Sequence, residues 1–247
     1  MQLLGLEKPG EEILLVLARE DTIAAKSAPS WISGYAFSDQ GVAVLFPART
    51  PSYPDSTFEE LVLHEVGHIL VFRATGGGQI PRWFNEGLAL FIGRPWRLED
   101  YSRVTWALVS GRQVSLVELE PYFNTTREAA RHAYALAGAF IQDLVKREGA
   151  DAVAEILGAV AEGTDFDAAY LEVTGETLVD AEHDFWSRHT FFYRWVPILG
   201  SSATLWLLIT GLALLAFRRR RAKDRELRQA WEREEPLTVG EGDSQSP

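Results

Sequence analysis

The chain has 247 residues, 47% of them apolar, which is enough for one good-sized core and excludes wholesale disorder. It holds no cysteine, so disulfides, thiolate nucleophiles and Cys-ligated zinc are excluded. The net charge is −11 and uneven: residues 193–247 carry nine Lys/Arg against seven Asp/Glu, leaving 15 against 28 in residues 1–192, and so acidic a main domain argues against a nucleic-acid partner.

EILLVLARE, residues 12–20, reads as a buried strand, and GYAFSDQGVAVLFPA, residues 34–48, as two short strands around a turn at Ser38–Gly41. PSYPDSTFEEL then prepares a helix, with Ser56 or Thr57 as N-cap and acidic residues in the first turn. That helix is expected over about 58–74, stopping at Gly76-Gly77-Gly78. Residues 80–93 read as a loop and a short helix from about Trp83. Beyond Gly93 the pattern is helical, over about 100–110, 127–148, 150–162, 165–173 and 178–192. Strands followed by helices, without regular alternation, imply an α+β class: a small N-terminal β-sheet followed by a mainly helical domain spanning residues 1–192.

Residues 195–217, WVPILGSSATLWLLITGLALLAF, carry no charge and are followed by Arg218–Arg221. Their length suits one transmembrane helix contacting a lipid bilayer. The expected organisation is therefore a domain at 1–192, a span at 193–217, and a basic segment with a disordered tail at 218–247. Arginines on the cytoplasmic side would put the main domain outside, in a single-pass membrane protein. MQLLGLEKPGEEILLVLARED is no export signal, so that orientation requires one upstream; the alternative is a cytoplasmic, tail-anchored domain.

Chemistry concentrates in HEVGH, residues 64–68. Four residues make about one helical turn, so His64 and His68 project from one face and can share a zinc ion at about 2.0–2.1 Å. Glu65 lies about 100° further round, too far to be a natural ligand but able to reach water at the metal. Catalytic zinc usually takes a third protein ligand. WFNEGLALF offers Glu86 one turn into the next helix, which the glycine turn and Pro81 let fold back. Taken alone, Glu86 is equally a solvated acid favoured by the helix dipole; beside HEVGH it is the candidate third ligand.

HEVGH followed by WFNEGLALF resembles the gluzincin clan of zinc metallopeptidases, in particular peptidase MA-like domains of bacterial membrane-anchored proteins. Softer likeness extends from about Ile13 to Phe192. The resemblance implies a zincin-like fold, Zn2+ held by His64, His68 and Glu86, Glu65 as general base, and a peptide or protein substrate. It also implies a tyrosine that stabilises the oxyanion from the helix after the zinc site; Tyr134 is the candidate and His132 the runner-up. GYAFSDQGVAV lacks the glutamate with which aminopeptidases of the clan anchor a free amine, which points to an endopeptidase. No histidine follows His68 until His132, so the three-histidine pattern is not met. Glu60 and Asn85 are conceivable partners for the ligand imidazoles. A non-catalytic scaffold keeping the zincin fold is the alternative from another functional class.

Overall fold

The computed structural model describes residues 1–109, 114–199 and 202–234. Two compact units are distinct, Met1–Tyr193 and Arg194–Pro247.

The first unit opens with strand β1 (Leu14–Leu17), a short helix α1 (Ile23–Ser27), and strands β2 (Gly34–Phe37) and β3 (Val42–Leu45). The sheet order is β1-β3-β2, with β1 parallel to β3 and β2 antiparallel to it. Leu14 pairs with Val42 and Leu17 with Leu45; on the other side Gly34 pairs with Leu45 and Phe37 with Val42. The buried strand expected at 12–20 is corrected here. It forms only over Leu14–Leu17, and as an edge strand it leaves all four side chains exposed, Leu17 at 62%.

Helix α2 (Phe58–Ala74) carries HEVGH and lies over β2 and β3. Thr57 caps it, its Oγ1 accepting from the Glu60 amide at 3.1 Å, while the Glu60 carboxylate accepts from the Ser56 amide at 2.8 Å. Gly76 and Gly77 then take φ of 58° and 82°, the left-handed turn that lets the chain double back. Helix α3 (Arg82–Gly93) returns against α2, closely enough that a Cβ on Gly67 would lie 3.1 Å from the Cα of Ala89.

The remaining helices are α4 (Leu98–Val109), α5 (Tyr122–Thr125), α6 (Arg127–Glu148), α7 (Ala150–Ala161), α8 (Phe166–Thr174) and α9 (Leu178–Leu199). Residue 110, expected to end α4, lies outside the described residues. The core joins α3 to α6 and α8 through Trp83, Phe84, Phe140 and Phe166, packed edge to face at ring separations from 4.9 Å to 6.1 Å. This packing fixes the approach of α3, and with it the position of Glu86.

The second unit is dominated by α10 (Ser202–Glu234). Here the expected transmembrane helix is corrected. Among the described residues no helix is long and apolar enough to cross a membrane. The apolar run at 195–217 is divided between the end of α9 and the start of α10, and residues 200 and 201 lie outside the described residues. Its continuation, Ser202–Phe217, spans roughly 24 Å at about 1.5 Å per residue, short of a bilayer core of about 30 Å. α10 then runs on through Arg218–Arg221. The expected fold class, α+β with a membrane helix, gives way to a mostly helical fold with one small three-stranded sheet. The single-pass localisation, its orientation and the lipid contact at 195–217 lose their basis with the span.

Candidate metal centre

His64 and His68 lie one turn apart on α2, their ring centroids 4.9 Å from each other. Glu86 comes from the first turns of α3. Its Oε2 lies 3.5 Å from His64 Nε2 and 3.4 Å from His68 Nε2. One donor atom from each residue falls within 4.8 Å of the others, so the three form a group able to hold a metal ion. Donors at about 2.0–2.1 Å around a tetrahedral ion lie about 3.3–3.4 Å apart. The two carboxylate–imidazole separations are therefore close to what such an ion requires.

The unsatisfied atoms point the same way. Buried polar groups are nearly always paired, yet Glu86 Oε2, His64 Nδ1, Glu65 Oε2 and Asp55 Oδ1 are all buried here without a hydrogen-bond partner. One of them, Glu86 Oε2, is the oxygen aimed at both histidines. The donor set of two imidazoles and a carboxylate fits zinc or a similar divalent ion.

Each of the three side chains has a polar neighbour. Asn85 Oδ1 lies 3.0 Å from His68 Nδ1. Asp55 Oδ1 lies 3.7 Å from His64 Nδ1, and both side chains are about 95% buried. Arg82 Nε donates to Glu86 Oε1 at 3.1 Å, one turn away on the same helix. Asn85 was legible as a neighbour of Glu86. Glu60 is occupied elsewhere, pairing with Arg97 and capping α2. Asp55 went unread, because it sits in the irregular segment before α2 and no periodicity marks it.

Glu65 faces the sheet. A Cβ added to Gly34 of β2 would lie 2.8 Å from Glu65 Oε1, so a side chain there would press on the Glu65 carboxyl. Burial pushes the Glu65 carboxyl up to about 8; Glu86 and Asp55 add to this, and His68 opposes it. Burial would also raise Glu86, but the two histidines outweigh it and hold that carboxyl well below the usual range. Burial lowers both histidines, but Asp55 and Glu86 more than reverse this at His64, and Glu86 with Glu65 does so at His68.

Tyr134 projects from α6, its ring centroid 6.1 Å from that of His64 and 5.3 Å from that of Phe123. Burial above all, with Glu86 adding, raises its hydroxyl well above the usual value, so it stays protonated and can donate. A cleft of about 360 Å³ joins these groups, with Gly34, Tyr35 and Ala36 of β2 along one side and Arg82 and Asn85 of α3 along the other. His64, Glu65, His68, Glu86 and Tyr134 all line it; His132 does not.

A histidine pair on one helix, a carboxylate from the next and a second glutamate beside them define a candidate metal centre of the hydrolytic kind. Residues 20–190 match the family model of the Peptidase MA superfamily, and the chain belongs to that superfamily. No curated protein and no solved structure matches it.

Proposed function

We propose that this chain is a zinc-dependent peptidase of the gluzincin arrangement, with His64, His68 and Glu86 as ligands and Glu65 as general base. The observation that carries this reading is the convergence of His64 Nε2, His68 Nε2 and Glu86 Oε2 on one point, with Glu65 adjacent. Zinc held there would supply a Lewis acid that polarises the scissile carbonyl and makes nearby water more acidic.

The chain's own residues do the rest. Glu65 takes a proton from the attacking water and delivers it to the leaving amine. Tyr134, kept protonated, donates its O–H to the oxygen that becomes negative as the carbonyl is attacked. Asn85 accepts from the far nitrogen of His68, and the Asp55 carboxyl, 3.7 Å from the far nitrogen of His64, orients that ring by its charge. The substrate lies along the cleft, extended beside β2. Among the described residues, Glu65 and Glu86 are the only acidic ones lining that cleft, and both are committed, so none of these is left to bind a free amino terminus. This favours internal cleavage over removal of terminal residues.

The test is Glu65→Gln in the full chain, with bound zinc and cleavage of a mixed peptide library measured together. Zinc retained and cleavage lost is the expected result. A zinc-loaded wild type that cleaves nothing in a broad library would remove the enzyme reading and leave a scaffold that keeps the site.

A further inference from the structure

Glu86 has two oxygens and uses them differently. Oε2 points at both histidine Nε2 atoms and has no hydrogen-bond partner. Oε1 accepts from Arg82 Nε at 3.1 Å. Arg82 is itself held from two further sides. Its Nη1 lies 3.6 Å from Glu120 Oε1, and its guanidinium sits 4.9 Å from the centre of the Phe123 ring. Its side chain is only 30% exposed. The guanidinium is thus fixed before Glu86 meets it, and an arginine fork directs its N–H along a defined line.

A carboxylate beside a divalent ion can bind through one oxygen or two. Two imidazoles and one carboxylate oxygen leave a tetrahedral ion one open position; a second oxygen would fill it or force a higher coordination number. We propose that Arg82 is a positioning residue that confines Glu86 to one ligating oxygen, and so reserves the open position and the preference for a four-coordinate ion. The proposal rests on the metal-site reading above. Arg82 touches neither the ion nor the reacting atoms; it acts through Glu86. Its positive charge also offsets part of the charge of Glu86.

The test uses the full-length chain and two probes, zinc and cobalt(II), each supplied alone. Zinc affinity is measured by chelator competition, and coordination by the visible absorption of the cobalt form, strong for a four-coordinate ion and weak for a higher one. Arg82→Met keeps the aliphatic stem over Phe123 and removes the N–H. It is expected to weaken zinc by roughly 10- to 100-fold, the usual loss when a ligand's outer partner goes. The cobalt absorption should fall with it, as Oε1 joins the ion. Manganese, which favours oxygen ligands, should compete better against zinc than in the wild type. Arg82→Lys restores the charge without the directed fork and should recover only part of both readouts. Arg82→Gln gives the same comparison should Arg82→Met not fold. A variant with wild-type zinc affinity and an unchanged cobalt spectrum overturns the assignment while leaving the metal site standing. A folded wild type that takes up neither ion overturns the site itself, and this assignment with it.

Discussion

Asp100 is the strongest single test of what holds the site's framework. Its side chain is fully buried and accepts four hydrogen bonds: two from Arg94, both at 2.7 Å, one from the Arg97 amide at 2.8 Å, and one from the Tyr53 hydroxyl at 3.0 Å. Tyr53 precedes Asp55 by two residues, so this network also anchors the segment that meets His64. Asp100→Asn turns one acceptor into a donor facing a buried guanidinium. Breaking a buried pair from one side costs about 3–5 kcal/mol, because the remaining charge is left unpaired. For a unit of this size that lowers Tm by roughly 6–20 °C, at about 2–4 °C per kcal/mol. Burial alone would raise Asp100, but Arg94 and the Arg97 amide more than offset it and hold the carboxyl below its usual value. The native state therefore favours the ionised form. Its contribution is complete above the unfolded-state value of about 3.9 and is lost as pH falls through the lower folded value. Urea melts at pH 7 and across the acid limb should show wild type and Asp100→Asn converging as pH drops. Replacing both partners, Arg94→Met with Asp100→Leu, should cost less than Asp100→Asn alone. A single variant within about 1 kcal/mol of wild type at pH 7 refutes this account of the network.

A Cβ on Gly87 would stand 2.6 Å from the carbonyl oxygen of Ala137 and 2.6 Å from Ile141 Cγ1. Gly87→Ala should therefore push α3 off α6, destabilise by about 1–3 kcal/mol or more in chemical denaturation, and weaken metal binding by displacing Glu86; wild-type values for both would contradict the packing described. Asp55→Asn should reduce zinc affinity by roughly 10- to 100-fold with the melting temperature of the metal-free protein little changed, and unchanged chelator competition would exclude Asp55 as the partner of His64. Tyr134→Phe should retain zinc and lower kcat by about 100- to 1,000-fold, the usual loss of one oxyanion donor; an unaltered kcat takes Tyr134 out of the mechanism.

Helices α2 and α6 were legible in the sequence almost to the residue. Each begins at a threonine cap and ends at glycines, and both are rich in apolar residues throughout. β1 was harder. LLVL is apolar enough to read as a buried strand, but burial depends on where a strand stands in its sheet, and β1 stands at the edge. The run at 195–217 misled for a related reason. Its composition suits a span, but a span also needs one apolar helix of sufficient length, and among the described residues no helix meets that requirement.

The candidate site divides along the same line. His64, Glu65 and His68 could be found because a helix fixes their relation to one another within five residues, and Asn85 and Glu86 lie in the first turns of a second helix; Arg82, one turn before Glu86, was not singled out. What the sequence could not supply was the approach of one group to the other, since that is decided by Gly67 against Ala89 and by the aromatic packing behind α3. Asp55 was further out of reach. It belongs to neither helix, and it meets His64 only because Thr57 caps α2 beside it and Tyr53 is tied to Asp100. The candidate ligands are thus set by helical period, whereas part of what orients them comes from an irregular segment tied down some distance away. A substitution at Asp100, which touches no ligand, should therefore weaken metal binding as well as the fold, and the two losses should appear together.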